Sequence, residues 1–155
     1  LRRSHIRTPF PGKDRAMKEP LYKLTSRDNT TKNGYTWGPG VTLSADLSLP
    51  PELCSAGVIH AYRGPELALF MNPIHANIES PRLWLAEGKV CADDGTKVGC
   101  RKLTTLREIE YQEPTIEQRV RFGILCALEV CAEPGFVKWA HAWLDGSDRS
   151  EGAVY

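Results

Sequence analysis

Apolar positions recur along this chain with two different spacings, and the spacing changes near residue 112. PLYKLTS (20–26) is short, apolar and β-prone, which predicts a first strand. RDNTTKNG (27–34) is turn chemistry, with Asn33-Gly34 a strong hairpin signal. YTWGPGVTLSA (35–45) resumes as a strand broken at Gly38-Pro39-Gly40, and 46–57 reads as a loop. GVIHAY (57–62) alternates, so Val58 and His60 share one strand face and Ile59 and Ala61 the other. Pro65 opens a short helix that Asn72-Pro73 is expected to end. PRLWLAEGKVCA (81–92) and TKVGCRKLTTLREIE (96–110) flank Asp93-Asp94-Gly95 as a second hairpin.

Beyond residue 112 the period becomes helical. Over 115–131, Thr115 with Gln118 three positions later forms a capping box. Ile116, Val120, Ile124, Ala127, Leu128 and Cys131 then recur as one face. This spacing makes the helix the expected central buried element. Glu133-Pro134-Gly135 stops it, and FVKWAHAWL (136–144) forms a second helix with Phe136, Trp139, Ala140 and Trp143 on one side. That aromatic side must pack on the sheet or on a partner, a second copy of the chain included. Strands first and helices last predict an α+β domain over residues 17–155. Its sheet is mainly antiparallel and comes from the N-terminal two thirds, with the two C-terminal helices packed on it.

Charge adds an asymmetry to this picture. The 155 residues carry a net charge of +1, but residues 1–16 hold five Lys/Arg and one Asp while the remainder holds 15 basic and 18 acidic side chains. The first 16 residues read as a basic extension, added or upstream of a start at Met17, and dispensable to the fold. The alternative is a basic arm for nucleic acid. The mildly acidic remainder argues against a phosphate-backbone surface, and so against a nucleic-acid partner. No apolar run approaches the roughly 20 residues of a membrane span, and no signal-peptide pattern is present, which predicts a soluble cytoplasmic protein without a membrane partner. The five cysteines lack any Cys-x-x-Cys spacing and read as thiols.

Candidate chemistry concentrates in Leu53–Ala76. A Cys54 or Ser55 nucleophile beside His60 or His75 is one reading; a metal held by His60, His75, Cys54 and Glu66 is another. Tyr62, Arg63 and Glu108 supply the residue types of an ADP-ribosyltransferase-like site, without an ordered motif. Against these stands a loop, strand and short helix that pack the core, with His60 and His75 bordering the main pocket and no metal or cofactor bound. Trp37-Gly38-Pro39-Gly40 is a tight turn beside a buried tryptophan rather than a phosphate loop. Trp37, Cys54, His60, Tyr62 and His75 are therefore the expected pocket residues, with no catalytic role assigned to any of them.

Tyr22-Lys23, Trp37-Gly38, Leu53-Cys54-Ser55, His60-Ala61, Asn72-Pro73-Ile74-His75 and the helix ending near Cys131 together resemble a domain family of unknown function in bacteria and bacteriophages. The resemblance runs from Leu21 to about Ser150. It implies an origin in a bacterium, phage or mobile element, and no established activity. The expected function is recognition of a protein or small ligand; the alternative is an enzyme built around Cys54, His60, Tyr62 and His75. Convergence of those four side chains in one concave pocket would discriminate the two.

Overall fold

A computed structural model describes residues 19–150, so the basic extension 1–16 lies outside the described residues. The long hairpin is the spine. Strand β4 (Arg82–Asp93) and strand β5 (Val98–Ile109) pair antiparallel, as Leu83↔Ile109 and Gly88↔Leu103. The Asp94 carboxylate closes the turn by accepting the N–H groups of Thr96 at 2.9 Å and Lys97 at 2.8 Å. Strand β1 (Leu21–Thr25) lies on the outer edge of β4. On the other edge of β5 lie β2 (Thr42–Ser44) and β3 (Ile59–Ala61), paired as Leu43↔Leu103 and His60↔Gly99.

The sheet then curls on itself. Register shifts in the β4–β5 ladder follow Leu85, Gly88 and Val90, and such bulges sharpen twist. The curl brings β3 back to β1, where Tyr22 and Tyr62 exchange N–H···O bonds of 2.8 and 2.9 Å. Leu21, Trp37, Ile59, Ala61, Val98, Cys100 and Leu103 fill the inside. Gly99 permits the close approach of the loop before β3, because a Cβ there would sit 2.8 Å from a Val58 methyl. Helix α1 (Pro65–His75) covers the outside, packing Ala68, Leu69 and Met71 on Leu24, Tyr62 and Leu83.

Helices α2 (Ile116–Leu128) and α3 (Pro134–Asp145) complete the α+β architecture expected from the order of elements. The Thr115–Gln118 capping box is present with both of its hydrogen bonds. The two helices pack on each other, and α2 meets α1 and the apolar cluster beneath it through Phe122, whose ring lies 4.9 Å from that of Phe70 on α1. No helix among the described residues is long and apolar enough to cross a membrane.

Several local expectations are corrected. Helix α1 does not end at Asn72-Pro73; it runs one turn further, to His75. Pro73 removes one backbone donor, but Asn72 holds the exit by bonding Ile78 through both its amide nitrogen (2.8 Å) and its amide oxygen (3.0 Å). Asn33-Gly34 yields one isolated bridge, Thr30↔Thr36, and regular strand resumes only at Thr42. Glu133-Pro134-Gly135 does not merely stop α2. It starts α3, with the Glu133 carboxylate capping the N–H groups of Gly135 and Phe136.

The largest correction concerns α2. It is not the central buried element: Ile124 is its only fully buried residue, while Ile116 is 83% and Val120 39% exposed. One core cluster forms inside the curled sheet without α2, which packs through Phe122 on the second cluster, beneath α1.

Candidate ligand cavity

The closure of β3 onto β1 leaves a cavity of about 640 Å³ at one end of the sheet. Each wall has a separate origin. β1 supplies Lys23, β3 supplies His60, and Tyr62 follows directly. The extra turn of α1 brings His75, the residue before β5 is Lys97, and the loop before β3 supplies Cys54.

The Cys54 loop is pinned from beneath. The Arg101 guanidinium donates to the carbonyls of Asp46, Leu49 and Gly57 at 3.2, 2.7 and 2.9 Å. Gly57 is required there, since a Cβ would fall 1.9 Å from the Pro50 carbonyl oxygen. Cys54 sits at the lip with a left-handed backbone, φ 64°. Its N–H donates to His60 Nε2 at 3.0 Å, and the Lys97 ammonium lies 3.0 Å from its sulfur.

His60 is thus an acceptor at Nε2 and carries its proton on Nδ1. Burial, with the charges of Lys23 and Lys97 nearby, pushes its pKa down to about 4, so the ring is neutral at physiological pH. A second pair sits opposite. The Tyr62 hydroxyl and His75 Nδ1 are 3.2 Å apart, and their rings stack at 5.9 Å with 14° between planes. Burial pushes the Tyr62 phenol up to about 12 and holds the His75 imidazole below its usual value.

Lys23 occupies the floor. Its ammonium donates to the His60 carbonyl oxygen at 2.8 Å and lies 5.5 Å from the Trp37 ring centroid. Burial pulls its pKa from 10.5 to about 8.

Cys54, His60, Tyr62 and His75 therefore line one cavity together. Trp37 does not line it: the indole is 2% exposed, donates to Thr31 Oγ1 at 3.1 Å and supports Lys23 from behind. The Cys54–His60 contact runs through the backbone N–H, so the imidazole is not placed as a base for the thiol. Arg63 and Glu108 lie elsewhere, paired with Asp93 and Glu19 and with Arg82 respectively, so the ADP-ribosyltransferase-like trio does not assemble. Glu66 is not on the cavity wall, and no three His, Cys, Asp or Glu side chains among the described residues gather to hold a metal.

The lysines of the wall were not legible as a group. Lys23, Lys32 and Lys97 are scattered in sequence yet line the same space, and no carboxylate lines it among the described residues. One local signal existed: in Leu21–Thr25, Lys23 shares a strand face with Leu21 and Thr25, both fully buried. No family model, curated protein or solved structure matches the chain.

Proposed function

We propose that the chain is a ligand-binding protein whose cavity takes a small organic anion. One observation carries the reading: three lysines and two histidines line the cavity among the described residues, and no carboxylate does. Its volume of about 640 Å³ suits a small molecule. Leu24, Val58, Ile59 and Ile78 offer apolar contact for a carbon skeleton, and Thr31, whose oxygen accepts the Trp37 indole N–H, offers a hydroxyl proton, while the Ser26 and Thr30 hydroxyls are held by Asp28. The mildly acidic average of the body does not oppose this, because the cations are concentrated locally. The resemblance to an uncharacterised bacterial and phage family supports an origin in such an organism or element.

Calorimetric titration with a panel of small carboxylates and phosphate esters tests the reading. Anions should bind, their affinity should fall as salt rises, and Lys97→Gln should weaken binding at least fivefold with circular dichroism unchanged. Equal affinity for neutral analogues, or an unaffected Lys97→Gln protein, would overturn it. The convergence of Cys54, His60, Tyr62 and His75 also favours the second reading, an enzyme acting at this same cavity.

A further inference from the structure

Lys23 differs from the other two lysines of the cavity. It projects from β1 rather than from a loop or turn, and its ammonium donates to a backbone carbonyl, whereas that of Lys97 lies against the Cys54 sulfur. The Trp37 ring lies against it and Cys100 is its titratable neighbour on β5. A lysine needed only to attract an anion works as well at an exposed position such as that of Lys32. Placing the amine inside the curl, against the Trp37 ring and with a backbone carbonyl as its partner, is an arrangement that turns lysine into a nucleophile.

We propose that Lys23 captures a small oxo acid, a molecule with a carbonyl and a carboxylate, as a reversible imine. The proposal rests on the reading of the cavity as an anion site, and names the ligand class. Lys97 and Lys32 supply positive charge for the carboxylate. The neutral Lys23 amine keeps one N–H on the His60 carbonyl, which leaves its lone pair free for the ligand carbonyl carbon. As the C–N bond forms, the carbonyl π pair moves to oxygen, which takes a proton and gives the carbinolamine. The nitrogen loses a proton, the hydroxyl is protonated and leaves as water, and the nitrogen lone pair forms the C=N bond. Amine and carbonyl become imine and water, with no change of oxidation state. The protonated imine still has one N–H, so the bond to the His60 carbonyl persists. The Tyr62–His75 pair, a protonated phenol and a neutral imidazole in the same cavity, can give and take the protons. The lowered basicity of Lys23 adds support, since a substantial fraction of the amine is then neutral near pH 8.

The test is reductive trapping. The full chain is incubated with glyoxylate or pyruvate and cyanoborohydride, and the adduct is counted by intact mass and located by peptide mapping. One adduct per chain on Lys23 is expected, absent from Lys23→Met and Lys23→Arg proteins that keep the wild-type circular dichroism. Mapping in the wild-type chain locates the adduct even if neither variant folds. Adducts distributed over several lysines, or none on Lys23, would overturn the proposal. Lactate, which lacks the carbonyl, separates the two levels. Calorimetric binding of lactate without any Lys23 adduct from pyruvate sinks the imine and leaves the anion site standing. Absence of both lactate binding and adduct sinks both.

Discussion

The curled sheet and the C-terminal helices draw on similar apolar residues and use them differently. In the sheet, Leu21, Leu83 and Leu103 are at most 1% exposed. In α2, which has the stronger periodic pattern in sequence, Ile116, Val120 and Leu125 are 83%, 39% and 48% exposed. Each sheet residue meets neighbours from several strands, because the sheet closes on itself. Among the described residues the two C-terminal helices pack on each other, and Phe122 packs on Phe70 and the cluster around it. Amphipathic spacing states that one face prefers burial; how much of it is buried depends on what the rest of the chain presents.

The sharpest test of this contrast is a pair of truncations. Leu103→Ala should cost about 2–5 kcal/mol in urea unfolding, as a fully buried leucine does. Ile116→Ala should stay within about 0.5 kcal/mol. A large loss at Ile116 would show that its face is covered in solution, and the contrast would fail.

The cavity sharpens the comparison, because it is where the closed sheet leaves polar groups inside. Lys23 has a folded pKa of about 8, against the ordinary lysine value of 10.5 that it regains on unfolding. Between those values the unfolded chain binds more protons, so stability attributable to Lys23 rises with pH across that window. The Tyr62 and Cys100 groups, whose folded values are raised to about 12 and about 11, act in the opposite direction. The difference between wild type and Lys23→Met therefore isolates the Lys23 contribution: the rise should vanish in the variant. An identical pH profile in both proteins would mean that Lys23 is hydrated.

His60 has the same sign at lower pH. Its folded value of about 4 lies below the ordinary 6.5, so the unfolded chain binds more protons between them and stability falls as pH drops from about 6.5 to 4. His60→Gln should flatten this acid limb in denaturation curves. An unchanged limb would place a charged imidazole in the fold, contrary to its acceptance of the Cys54 N–H. The smallest effect is expected on the sheet's exterior. Glu108→Gln weakens a two-contact pair with Arg82 (2.8 and 2.6 Å) at side chains 42% and 35% exposed, and should cost about 0.2–1 kcal/mol.

Local rules made much of this molecule legible in advance. The Asp93-Asp94-Gly95 hairpin, the alternation through β3 and the Thr115–Gln118 cap each depend on residues a few positions apart, and each is present. Cys54, His60, Tyr62 and His75 were legible as a group because they crowd into one short stretch of chain. Local rules failed where two of them competed. Asn72-Pro73 has the chemistry of a helix end, yet the Asn72 bonds to Ile78 carry α1 one turn further and place His75 beside Tyr62.

The sequence by itself determined the order of strands and helices, the long hairpin and the α2 cap, since backbone propensity, capping and side-chain periodicity act over a few residues. Tertiary structure alone decided that the sheet closes from β1 to β3, that α2 is largely exposed, and that Lys23, Lys32 and Lys97 line one cavity. The physical reason is distance along the chain. Lys23 and Lys97 are brought together by two strand pairings and a bridge between Tyr22 and Tyr62, and no short-range pattern records which strand edges will meet.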